Sequence, residues 1–160
     1  MLHINIICVG KLKESYFKDA ITEYSKRLSK YCNLTITELN DEKIPSNPNE
    51  SDNLIVKNKE GKNIINHLKK DSYIIALDPN GKQMQSEEFA DKIEKISTNY
   101  NSTITFIIGG SLGISSEVLH ACNEKISFSK MTFPHQLFRV LLLEQIYRGF
   151  KIINNENYHK

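Results

Sequence analysis

Four short apolar runs, separated by stretches of helical periodicity, restrict this chain to very few folds. Ile4 to Val9 (INIICV) is β-branched and apolar on both faces, as a strand buried within an α/β sheet is. Leu34 to Leu39 (LTITEL) instead alternates with period two, which predicts a strand with one wetter face and suits an edge position. Tyr73 to Leu77 (YIIAL), stopped by the turn Asp78-Pro79-Asn80-Gly81, and Ile104 to Ile108 (ITFII) are two further buried strands. From Lys11 to Tyr31, Leu12, Tyr16, Phe17, Ala20, Ile21, Tyr24, Leu28 and Tyr31 recur at helical spacing. Asn40 to Asn53, with Pro45 and Pro48, reads as a loop. Leu54 to Lys70 carries a weaker helical pattern interrupted by Gly61, with His67 as a solvated surface residue. Ser86-Glu87-Glu88 opens another helix, continued by Phe89, Ile93, Ile96 and Tyr100. The resulting order β-α-β-α-β-α-β predicts an α/β fold, a mostly parallel sheet flanked by helices on both faces.

A chain of 160 residues suits one domain spanning its whole length. No apolar run approaches the roughly 20 residues of a membrane span. The N-terminus MLHINIICVGKLK places its apolar run ahead of its lysines, the reverse of a secretory signal, so a cytoplasmic protein without a membrane partner is expected. Cys8, Cys32 and Cys122 are odd in number and form no CxxC pair, which favours buried thiols over a disulfide framework or a zinc site. No metal is expected. The net charge of +2 is too small to argue for a nucleic-acid partner by itself.

Ligands of open parallel sheets sit beyond the carboxyl ends of the strands, and Leu77-Asp78 and Gly109-Gly110 are two such ends. Gly109-Gly110-Ser111-Leu112-Gly113 matches neither the GxGxxG of a dinucleotide site nor a P-loop, so those cofactor classes lose ground. A tight turn without a ligand remains the alternative there. Beyond it lie a short run Lys125 to Ser129, the break Lys130 to Pro134, and a long helix beginning at His135. On that helix His135 and Arg139 share one stripe, while Glu144, Arg148 and Lys151 cluster nearly opposite. The rest is apolar nearly all round, as in a helix buried against its own sheet and a second subunit. Arg139 near the helix start suits a phosphate or planar anion, the alternative being an arginine satisfied by a carbonyl or by a carboxylate such as a partner's Glu144. The terminal Tyr158-His159-Lys160 joins an aromatic ring, an imidazole and a cation, though a frayed tail is the default.

The segments VGKLKESY, DEKIP, FIIGGSLG, SFSKMTFPHQLFRVLLLEQIYR and the closing YHK span essentially the whole chain. Through them it resembles the ribosomal large-subunit methyltransferase H family, of the SPOUT class of knotted methyltransferases. The resemblance implies an α/β fold with a deep trefoil knot over about residues 103–150 and a functional tail over 154–160. It also implies an S-adenosylmethionine pocket made by Leu77, Gly109, Gly110, Phe128, Ser129, Lys130, Met131, Thr132 and Phe133. The implied activity is methylation of N-3 of a pseudouridine in 23S rRNA, in the large subunit or the assembled ribosome, by a homodimer. Under that reading Arg139 stabilises the base anion, and His159, or less favourably His135, accepts the imide proton. Tyr158, His159 and Lys160 would reach over the partner's cofactor, with His135 chiefly structural. Lys11, Lys13, Lys130, Arg148 and Lys160 are expected phosphate contacts. Two alternatives stand beside it: a non-catalytic ribosome-associated binding module of the same fold, and a small-molecule α/β enzyme using a nucleotide cofactor.

Overall fold

The computed structural model describes residues 1–160. Strands β1 (Leu2–Val9), β2 (Cys32–Leu39), β3 (Tyr73–Gln83), β4 (Thr103–Ile108) and β5 (Glu124–Ser127) form one sheet in the order β2-β1-β4-β3-β5, with every pair parallel. Helices α1 (Ser15–Leu28), α2 (Glu50–His67), α3 (Ser86–Asn99), α4 (Ser116–Ala121) and α5 (His135–Ile153) cover it. Alternate residues of each central strand enter opposite cores. Ile4, Ile6, Cys8, Ile75, Leu77, Ile104, Phe106 and Ile108 pack with Leu28 of α1, Phe89 and Ile93 of α3, and Leu142 and Ile146 of α5. Ile7, Val9, Ile74, Ala76 and Ile107 pack on the other side with Ile64 of α2 and Val118 of α4. This is why these strands are apolar at most positions on both faces, with Asn5 and the buried Thr105 as exceptions; each fully buried isoleucine contributes about 2 kcal/mol. The alternating strand β2 pairs only with β1 and sits at the sheet edge, as its pattern predicts.

The structure departs from the sequence expectations at five places. Helix α1 starts at Ser15 rather than Lys11, because Gly10 turns the chain at φ +101° and the next amides are held elsewhere. Leu12 N–H donates to Glu38 Oε2 at 3.0 Å and Lys13 N–H to Gln136 Oε1 at 2.8 Å. Helix α2 begins at Glu50, inside the expected loop. A capping box starts it: Asp52 N–H donates to Asn49 Oδ1 at 2.7 Å and Asn49 N–H to Asp52 Oδ2 at 3.1 Å.

Strand β3 does not end at Leu77. It pairs with β5 up to Leu77, loops out Asp78 to Gly81, and resumes pairing at Lys82 and Gln83. The six-residue α4 was not foreseen, since one and a half turns carry too little periodicity to read. Gly61 does not interrupt α2 but lets it approach the start of α4, because a Cβ there would lie 2.1 Å from Ser115 Oγ. Cys8 and Cys32 are buried, Cys122 is half-buried, and all three are free thiols. No helix is long and apolar enough to cross a membrane.

Candidate active site

A parallel sheet delivers the carboxyl ends of all its strands to one edge, and the N-terminus of α5 arrives at the same edge. A cavity of about 300 Å³ opens there, its wall including Gly10, Asp41, Glu42, Glu60, Gly110 and His135. The His135 ring lies against Gly10, where an added Cβ would come 3.0 Å from the imidazole Cε1. Burial, reinforced by the Arg139 guanidinium, holds this imidazole below its ordinary value of 6.5, so it is neutral at pH 7. Its Nδ1 is buried without a protein partner.

Arg139 takes the alternative arrangement, satisfied by a carboxylate and a carbonyl. Its side chain is 1% exposed; Nη1 donates to Glu38 Oε2 at 2.6 Å and Nη2 to the Gly10 carbonyl at 3.2 Å. Burial raises the Glu38 carboxyl, but the bonds from Arg139 and the Leu12 amide outweigh it and hold the group below the usual carboxylate range. Arg139 therefore ties α5 to the β1–β2 edge. The carboxylate that satisfies it is Glu38 of the same chain, whereas Glu144 accepts from Arg148 Nε at 2.7 Å.

Of the residues expected around a cofactor, Leu77 lies beside Ile126 in the sheet, where β5 leads directly into Phe128 to Phe133. Gly109 and Gly110 open a tight turn closed by the Gly113 N–H donating to the Gly110 carbonyl at 3.0 Å. The Phe128 ring sits between Phe89 and Phe138, at centroid distances of 6.0 and 5.1 Å, and Phe133 stacks on Phe138 at 6.3 Å. Met131 N–H donates to Ser129 Oγ at 3.0 Å. The amides of Ser129, Lys130, Thr132 and Phe133 donate to no protein atom. The loop thus offers free backbone donors beside aromatic and aliphatic walls.

The C-terminal tail lies on the opposite flank of α5. Tyr158 donates its hydroxyl to Glu144 Oε2 at 2.6 Å, and the Arg148 guanidinium sits 4.7 Å from the Tyr158 ring centroid. His159 lies between Arg148, at 3.2 Å from Nδ1, and Glu87, at 2.7 Å from Nε2. Within one chain, therefore, the tail does not join His135 at the cavity. Residues 2–159 match a family model described as "Predicted SPOUT methyltransferase". The chain belongs to the SPOUT methyltransferase family. Proteins named "Ribosomal RNA large subunit methyltransferase H" are among its relatives. That of Clostridium novyi (strain NT) is 61% identical over 159 residues, covering 99% of this chain and 100% of the relative. Those of Clostridium beijerinckii and Clostridium botulinum (strain Okra / Type B1) are each 58% identical with the same coverage. Membership makes the chain a methyltransferase of the SPOUT class, which needs a methyl donor; the trefoil knot is what the family implies for this fold.

On this SPOUT edge the expected phosphate contacts are unequal. Lys11 and Lys13 are exposed on the linker that leaves Gly10, next to the cavity, and Lys130 and Lys160 are exposed as well. Arg148 is not free in the same way, since Glu144 and the Tyr158 ring occupy its guanidinium. The sequence reading missed Glu60. It is 5% exposed, its Oε2 accepts from Glu42 N–H at 3.0 Å, and its Oε1 has no partner. Burial raises its carboxyl above the ordinary value, the Glu42 amide lowers it, and the Asp41 and Glu42 charges raise it further. A signal was present in the sequence: Val56, Glu60 and Ile64 share one helical stripe, so a carboxylate stands on the buried face.

Proposed function

We propose that this SPOUT methyltransferase uses S-adenosylmethionine to methylate N-3 of a pseudouridine in 23S rRNA, acting as a homodimer on the large subunit or the assembled ribosome. The observation that carries this reading is the full-length identity of 58 to 61% to proteins named for large-subunit rRNA methylation. The free amides of the Phe128–Phe133 loop, with the Phe128 and Phe133 rings and Leu77, fit an adenosine-bearing cofactor without any acidic fingerprint. Gly109 and Gly110 let such a ligand approach the neighbouring turn. Bound there, the cofactor supplies an electrophilic methyl group and leaves as its thioether.

The chain's own residues then have distinct tasks. N-3 loses its imide proton as the new N–CH₃ bond forms, and neutral His135 with its free Nδ1 takes that proton at the cavity wall. Arg139 positions α5 through Glu38 and Gly10 rather than touching the base. Lys11, Lys13 and Lys130 meet RNA phosphates. Tyr158, His159 and Lys160 close the neighbouring subunit's cofactor loop, exchanging their own-chain contacts for that position.

The test mixes two disabled chains. A His135→Ala chain and a chain lacking Tyr158 to Lys160 each lose methyl transfer to ribosomes by a hundredfold or so, within the usual range for a lost acid–base group. After subunit exchange, activity returns, because one site then combines an intact His135 with an intact tail. No recovery despite demonstrated exchange would show that the tail does not work across the dimer. Loss of cofactor binding in calorimetry with the unmodified protein would favour the non-catalytic ribosome-binding module.

A further inference from the structure

The cavity at the start of α5 holds a group that the methyl-transfer reading leaves idle. Glu60 is 5% exposed, and its Oε2 is taken by the Glu42 amide at 3.0 Å. Its Oε1 is buried and without a partner, and Glu60 is one of the residues that line a cavity of about 300 Å³. A Cβ added at Gly110 would come 3.0 Å from that oxygen, so Glu60 packs against the bare backbone of the turn that Gly110 opens. An unsatisfied buried acceptor is costly, and one facing a cavity asks for a donor. A carboxylate oxygen repels phosphate and attracts N–H, so this is not a backbone-binding site. Asp41 and Glu42, which line the same cavity, strengthen that bias, and His135 and Lys43 line it as well.

Resting on the proposed pseudouridine N-3 chemistry, the donor can be named. A pseudouridine ring carries two N–H groups, and N-3 is consumed as the methyl acceptor. N-1, N-3 and the glycosidic C-5 alternate around the ring and point in three well-separated directions. With C-5 leading out to the RNA and N-3 turned to the methyl group beside His135, N-1–H is directed into the protein. Uridine has no such donor, because its N-1 bears the ribose. We infer that Glu60 is the residue that distinguishes pseudouridine from uridine, its Oε1 accepting the N-1–H of the target base. A site built to pair with an N–H discriminates strongly against an analogue lacking it, since the buried acceptor is then left unpaired.

The experiment measures initial methylation rates on ribosomes carrying pseudouridine or uridine at the target nucleotide, the latter from cells lacking the pseudouridine-forming enzyme. The unmodified protein is expected to prefer pseudouridine by about tenfold or more. Glu60→Gln keeps an oxygen for the Glu42 amide but turns an NH₂ toward N-1–H, so the preference falls toward one. Glu60→Asp, which keeps the charge and withdraws the oxygen by one methylene, gives the same collapse. The melting midpoint and S-adenosylmethionine titration of Glu60→Gln, which keeps the acceptor for the Glu42 amide, match those of the unmodified protein, which separates base recognition from folding and cofactor binding. A pseudouridine-to-uridine ratio unchanged in both variants, with rates either high or equally reduced, overturns the assignment. So does an unmodified protein without preference. If the unmodified protein binds S-adenosylmethionine yet methylates neither ribosome, the pseudouridine reading itself fails and the inference falls with it.

Discussion

Arg139 is the largest fully buried side chain in the molecule, and its neighbours show what it does. Removing it as Arg139→Ala strands the Glu38 carboxylate and the Gly10 carbonyl where α5 meets the sheet. Glu38 keeps some contact with solvent, so the expected loss is about 2–3 kcal/mol of unfolding free energy, at the low end for a broken buried pair, measured by denaturant titration. His135 gives a pH signature. Its folded pKa lies below the unfolded value of 6.5, so the unfolded chain takes up the proton first as pH falls. The contribution to stability is present above pH 6.5 and is lost below it. Thermal midpoints between pH 7.5 and 5.5 should therefore fall more for the unmodified protein than for His135→Gln, and parallel curves would refute the burial of this imidazole. The stripe joining His135 to Arg139 was legible in the sequence from helical periodicity alone. The division of labour between them was not, because it depends on Glu38, which precedes Arg139 by 101 residues and reaches it only through the sheet.

At the level of elements, strands were read more faithfully than helix boundaries. Strands buried on both faces declare themselves as continuous β-branched runs, whereas the start of α2 depends on a two-residue capping exchange inside a polar segment. The loop from Phe128 to Phe133 was marked by Pro134, and β3's looped-out turn by Asp78-Pro79-Asn80-Gly81, yet the strand's resumption at Lys82 was invisible without its partner β5. Gly61 yields the prediction that runs against intrinsic propensity. Alanine should stabilise an exposed helix by up to about 1 kcal/mol, but here its methyl would overlap Ser115 at the start of α4. Gly61→Ala is expected to destabilise by about 1–3 kcal/mol in denaturant titration, and a stabilised variant would mean that α2 and α4 do not pack this closely.

For the whole molecule, the order β2-β1-β4-β3-β5 gathers Gly10, Leu77, Gly109, Gly110 and the Phe128–Phe133 loop at one edge although they are far apart in the chain. It also leaves the tail on the far flank of α5, which is why the proposed function completes the site between two subunits. Alternating periodicity was enough to anticipate the parallel sheet. The meeting of Glu60 with Gly110 and His135 was not foreseeable, since it arises from packing α2 against the sheet edge. The central claim is tested most directly by incubating the protein and isotopically labelled S-adenosylmethionine with ribosomes from cells lacking this activity, then mapping the label by mass spectrometry of 23S rRNA. The expected result is a single labelled methyl group on N-3 of a pseudouridine. Label on another base or on protein, or no label with either these ribosomes or free rRNA while the cofactor still binds, would contradict the account.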